Sequence, residues 1–127
     1  MIQRLFVLFA LIFAVPATAH AQDFTDFTEE SFEAALETGQ PIVVNFYESW
    51  CSRCATQRRN LSALLEQDAY SDVIVLEAVF SEHRDFAAQL GIRARTSLAL
   101  IRDRELAAIE VGGTSVTSVQ ALLNAGA

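Results

Sequence analysis

Apolar positions along the chain follow two periods, and their alternation predicts the elements. The run Ile42–Tyr47 (IVVNFY) is nearly continuous and rich in β-branched residues, the pattern of a strand covered on both faces. Residues 72–80 (DVIVLEAVF) and 97–101 (SLALI) repeat that pattern, and 106–111 returns as a hairpin partner after the polar turn 102–105. Residues 22–27 alternate loosely and predict a short edge strand. Between these runs the spacing changes to three and four. Thr28 is placed to cap a helix with Glu29 and Glu30 in its first turn and Phe32, Ala35 and Leu36 inward; Gly39 and Pro41 end it. From Cys51 the spacing predicts a helix with Ala55, Leu61, Leu64 and Leu65 inward and Arg53, Arg58, Arg59 and Glu66 toward water. Ser81 is read as the cap of a short helix carrying Phe86, Ala87 and Leu90, closed by Gly91. Thr114 or Ser115 caps a last helix with Val116, Val119, Leu122 and Leu123 inward. The order β-α-β-α-β-α-β-β-α predicts a single α/β domain: a mixed sheet flanked by helices on both faces.

The first 21 residues stand apart from this order. Arg4 precedes an apolar run, 5–15, that is short for a bilayer span; Pro16 interrupts it, and Ala19-His20-Ala21 has the small-x-small form of a cleavage site. The segment 1–21 is read as a cleavable secretory signal peptide and 22–127 as the mature domain, periplasmic or otherwise exported. The alternative is an uncleaved membrane anchor. Losing the segment removes one arginine and leaves 8 basic against 16 acidic residues. That balance argues against nucleic acid and anionic membrane surfaces as partners. The chain contains no lysine.

Export changes the meaning of the two cysteines, Cys51 and Cys54, which lie beside the single tryptophan in Trp50-Cys51-Ser52-Arg53-Cys54. In an oxidising compartment a pair serves as a staple or as a redox couple. A bridge across two residues closes a very small loop and removes little entropy from the unfolded chain, so it makes a poor staple. A Cys-x-x-Cys pair at a strand-to-helix junction is the pattern of thiol–disulfide chemistry. Cys51 falls at the predicted helix N-terminus, where free N–H groups and the dipole favour a thiolate, and Arg53 adds positive charge nearby. Cys54, one turn in, is placed to be the more buried thiol. The alternatives are an inert buried pair and a permanent bridge.

With these elements in order, the chain resembles the thioredoxin family over nearly all of the mature domain. The resemblance is carried by Pro41 with the strand Ile42–Tyr47, by Trp50-Cys51-Ser52-Arg53-Cys54, by Leu90-Gly91-Ile92-Arg93, by the hairpin, and by Val111-Gly112. It implies an exported protein-disulfide oxidoreductase with Cys51 as nucleophile, Cys54 as resolving thiol, and Trp50, Arg53, Arg95 and Thr96 shaping the substrate site. It implies no organic cofactor; the redox group is the Cys51–Cys54 pair. The partners it implies are protein disulfide substrates and a redox partner protein, with no nucleic acid and no membrane after signal cleavage.

Three positions depart from the family pattern. Asn45 stands where relatives often carry a buried aspartate, and an amide accepts no proton at neutral pH. Glu77 stands where they often carry that aspartate's lysine partner, so the usual charge pair is expected to be gone. Glu77 itself is a candidate replacement base for proton transfer, against the simpler expectation of a solvated strand-end carboxylate unless it proves buried. Thr96 stands in place of the cis-proline that faces the cysteines. A cis bond before a non-proline costs about 2.5–4 kcal/mol, so Arg95–Thr96 is expected to be trans, with the hydroxyl available to the Cys51 sulfur. Loss of the proline opens an alternative of another class, a metal-binding or metal-delivery module using the same thiolates; a non-catalytic interaction domain is a third. Two cysteines alone do not complete a tetrahedral zinc site, and His83 is expected to be a surface residue. Arg53, Arg58, Arg59, Arg93 and Arg95 form a basic grouping that would suit an acidic partner, against the simpler expectation of solvated faces.

Overall fold

The computed structural model describes residues 24–126; the proposed signal segment lies outside them. Five strands form one sheet in the order β1-β3-β2-β4-β5: β1 Thr25–Asp26, β2 Ile42–Tyr47, β3 Ile74–Val79, β4 Ser97–Arg102 and β5 Glu105–Val111. β3 pairs in parallel with β1 and β2, while β4 runs antiparallel to β2 and to β5. The sheet is therefore mixed. β2 lies at its centre, fully flanked, which is why its sequence is apolar on both faces. The four helices are α1 Glu29–Glu37, α2 Ser52–Leu65, α3 Arg84–Gln89 and α4 Val116–Asn124.

The sheet divides the core in two. On one face Leu61, Leu64 and Leu65 of α2 and Val119, Leu122 and Leu123 of α4 pack on Val43, Val75, Leu98 and Leu100. On the other, Ala35 of α1, Ala87 of α3 and Ile92 pack on Val44, Phe46, Leu76, Ala78, Ala99 and Ile101. Alternate residues of one strand thus serve opposite helix layers. Phe27 fills the second face, stacked on Phe86 at 4.6 Å and tilted to Phe32 at 5.7 Å.

Local chemistry sets the element ends. Thr28 and Ser31 cap α1 reciprocally: each hydroxyl accepts the other's backbone N–H, at 2.9 and 2.8 Å. Ser115 caps α4. Asp103 and Arg104 have φ of 51° and 66°, the two left-handed residues that a tight β4–β5 hairpin requires.

Several local expectations are corrected. Ser81 does not cap α3; it sits in a 3-10 turn, Phe80–Glu82, and His83 occupies the cap position. The His83 ring is half-buried, edge-on to Phe27 at 5.0 Å. Val116, read as inward, is 48% exposed because it opens the first turn of α4. Ala55, read as part of the inward face of α2, is exposed. The buried stripe there runs Cys54, Gln57, Leu61, Leu64, Leu65.

Candidate active site

The site lies where β2 ends and α2 begins. After Tyr47 the chain turns so that Cys51 N–H donates to Glu48 O at 3.1 Å, and Cys51 becomes the N-cap of α2. Its Sγ takes the place that a serine oxygen fills at an ordinary cap, accepting the Cys54 N–H at 3.2 Å. Both cysteines are free thiols; Cys51 is 8% exposed and Cys54 2%. Cys51 opens on a pocket of about 410 Å³ walled by Trp50, Arg53, Arg95, Thr96, Val111 and Gly112. A smaller apolar cleft beside Tyr47 and Arg58 reaches both cysteines from the other side.

Burial pushes the Cys51 thiol up, but hydrogen bonds outweigh it. The Cys54 thiol, the Thr96 hydroxyl, the Cys54 N–H and the Arg95 guanidinium together bring it down to about 7. Cys54 moves the other way, raised by its burial and then by its hydrogen bond with Cys51. Cys51 is thus the thiol that ionises first as pH rises.

Thr96 faces both sulfurs. Its Oγ1 lies 3.4 Å from Cys51 Sγ and 3.1 Å from Cys54 Sγ. No cis peptide bond occurs among the described residues, so Arg95–Thr96 is trans, and Thr96 takes φ of 61°. A β-branched residue in the left-handed region is strained by about 1–3 kcal/mol. Three hydrogen bonds hold it there: Thr96 N–H to Phe46 O at 3.0 Å, Gly112 N–H to Thr96 O at 2.8 Å, and Gln57 Nε2 to Thr96 O at 3.2 Å.

Trp50 is 67% exposed, with the Arg95 guanidinium 4.3 Å above its ring. It forms a wall of the pocket and is no part of the core. Arg53 also lines the pocket, but its guanidinium donates to Gly112 O at 2.5 Å. The cation expected of Arg53 at the Cys51 sulfur comes instead from Arg95. The basic grouping splits: Arg53 and Arg95 stay together in the pocket wall, while Arg58 lies over the Phe24 ring at 4.7 Å and Arg59 reaches Thr56.

Asn45 and Glu77 are neighbours in the β2–β3 ladder. Asn45 is fully buried, and neither its Oδ1 nor its Nδ2 has a hydrogen-bond partner within the described chain. Glu77 is not the solvated carboxylate that was expected. Its side chain is 12% exposed and pairs with Arg58 at 2.5 Å. The usual pair between positions 45 and 77 is gone, and a different one stands in its place, with the acid on β3 and the base on α2.

Gln57 was not singled out from the sequence. It is fully buried and its Nε2 donates to Thr96 O and, at 2.8 Å, to Gly113 O, tying α2 to both loops of the site. Its signal was present: an amide interrupts the stripe that Cys54 and Leu61 otherwise make apolar. No group of three or more His, Cys, Asp or Glu side chains converges on a possible metal position among the described residues. Two thiolates leave a tetrahedral centre two ligands short.

A reactive dithiol at the N-terminus of the helix after a central strand, on a five-stranded mixed sheet, defines a thiol–disulfide oxidoreductase. The family model for thioredoxin matches residues 23–125, and the chain belongs to the thioredoxin family. A thioredoxin from Rickettsia bellii is 32% identical over 89 residues, 67% of this chain and 81% of that one. A thioredoxin from Pseudomonas aeruginosa is 25% identical over 83% of this chain and 97% of its own length. Among solved structures, Trxlp from Edwardsiella tarda superposes with a TM-score of 0.72 at 26% identity, covering 79% of this chain and 98% of its own.

Proposed function

We propose that this chain is an exported oxidoreductase that reduces or exchanges disulfides in other proteins, with Cys51 as nucleophile and Cys54 as resolving thiol. The observation that carries this is the asymmetry of the pair. Cys51 Sγ accepts a backbone N–H, is held at a pKa of about 7 and opens on the pocket, while Cys54 lies behind it with a raised pKa. The thiolate at Cys51 attacks one sulfur of a substrate disulfide, and Cys54 then displaces the substrate from the mixed disulfide. Trp50, Arg95 and Val111 offer the approaching chain an aromatic face, a cation and an apolar edge. A stabilised Cys51 thiolate favours the dithiol form, which makes the couple more oxidising than one built on an ordinary thiol. A second thiol protein restores the couple after each turnover. Export rests on the n-region, apolar run and Ala-x-Ala site of residues 1–21.

The test is covalent capture. Cys54→Ser incubated with insulin is expected to retain an insulin chain through a bond that dithiothreitol releases. Cys51→Ser is expected to retain none, and wild type to turn over without accumulation. Absence of both turnover and capture sinks the reading. Export is checked separately by the N-terminus of protein from the exported fraction, expected at Gln22.

A further inference from the structure

One side chain touches both reactive sulfurs, and it carries a single proton. Thr96 Oγ1 stands 3.1 Å from Cys54 Sγ and 3.4 Å from Cys51 Sγ, in a residue only 5% exposed. Its backbone is clamped by Phe46, Gly112 and Gln57, so the hydroxyl is aimed by the main chain and not by a free rotamer search. A hydroxyl has one hydrogen to give and lone pairs to accept with. It donates to one sulfur at a time; it cannot donate to both. Cys51 Sγ already receives the Cys54 N–H at the start of α2, so negative charge is better supported there. The Thr96 hydrogen therefore points to Cys51, the sulfur that the Cys54 S–H also supports.

We propose that Thr96 is the positioning residue that decides which sulfur carries the charge, and that its hydroxyl follows the charge during exchange. This rests on the reading of Cys51–Cys54 as an exchange couple. In the first step the Cys51 thiolate attacks the substrate disulfide. A Cys51–substrate S–S bond forms, the substrate's own S–S bond breaks, and its electron pair leaves on the released substrate sulfur as a thiolate. Cys51 is now neutral. Rotation about the Cβ–Oγ1 bond turns the hydroxyl hydrogen to Cys54 Sγ without moving the backbone. Cys54 gives up its proton, through solvent, to the released substrate thiolate, and the hydroxyl donates to the new anion. Cys54 Sγ then attacks Cys51 Sγ; the mixed disulfide breaks and the second substrate sulfur leaves with its electron pair. The enzyme dithiol is oxidised by two electrons and the substrate disulfide is reduced to one thiol and one thiolate. Asn45, an amide without a partner among the described residues, cannot take up the Cys54 proton. A proline in place of Thr96 has no hydroxyl to offer.

Thr96→Val keeps the side-chain shape and deletes the hydroxyl; Thr96→Ser keeps the hydroxyl. Thiolate absorbance near 240 nm and the rate of Cys51 alkylation by iodoacetamide are followed against pH. Release of nitrothiobenzoate from a preformed mixed disulfide on Cys51 measures resolution. The valine variant is expected to titrate about one unit higher at Cys51 and to release nitrothiobenzoate about tenfold more slowly, and the serine variant to recover both. If the valine variant does not fold, Thr96→Ala, which strains the left-handed backbone less, is compared with the serine variant in the same way. A valine or alanine variant that titrates like wild type overturns the proposal. So does a folded serine variant that recovers neither property. Wild type that titrates as described but exchanges no disulfide overturns the exchange reading, and with it the second half of the proposal.

Discussion

At Cys51, burial and hydrogen bonding pull in opposite directions, and the hydrogen bonds win by about two pKa units, from 9.0 to about 7. Alkylation of Cys51 should therefore rise with pH to half its limit near pH 7, with Cys54 unreactive there; mass spectrometry of iodoacetamide-treated protein across a pH series reads both. The same shift carries a stability sign. Between pH 7 and 9 the folded dithiol has lost the Cys51 proton that the unfolded chain still holds, so stability rises with pH through that window. It is lost as pH falls through 7. Thermal midpoints of reduced protein should follow that slope, and Cys51→Ser should flatten it. The motif and its cap position were legible in the sequence because a helix start is a local feature. The partners of Arg53 and Glu77 were not, because each is set by contacts more than fifteen residues away along the chain: Arg53 with Gly112, and Glu77 with Arg58.

At the scale of elements, α2 is held to the site by Gln57, whose one amide nitrogen serves the loops at Thr96 and Gly113. Gln57→Glu preserves the shape but turns an acceptor toward two carbonyl oxygens. We expect it to cost at least about 2 kcal/mol at neutral pH, read by urea unfolding. Among the described residues periodicity found the strands and the α-helices, since a buried face must repeat whatever the fold, but neither 3-10 turn, Asp68–Tyr70 or Phe80–Glu82. It misplaced Ala55, because one small residue fits either side of a helix. A second irregularity was invisible to it. In the β4–β5 ladder pairing passes from Leu100–Ala108 to Ile101–Leu106, leaving Ala107 unpaired. That bulge puts Leu106, Ile109 and Val111 on one face of the edge strand, where they are 40–50% exposed.

Across the whole molecule, the two core layers meet only through the sheet, and the site sits at the end of that sheet where β2, β4 and the loop after β5 converge. A mixed sheet with one hairpin was readable from the order of elements, because parallel pairing needs helical crossovers and a tight polar turn needs a hairpin, but the strand order was not. The clamp on Thr96 was not, since it joins β2, α2 and the loop after β5. No helix among the described residues is long and apolar enough to cross a membrane.

Trp50 gives the molecule an optical consequence. It is the single indole in the chain, it is solvent-facing beneath the Arg95 cation, and it adjoins the reactive sulfur. Its emission should therefore step when the dithiol becomes a disulfide and shift again when a bound peptide displaces Arg95. A titration with dithiothreitol should show the first step in wild type and none in Cys51→Ser. An emission that ignores the redox state would mean the ring is decoupled from the chemistry beside it. If it responds, each turnover can be timed in stopped flow without a label.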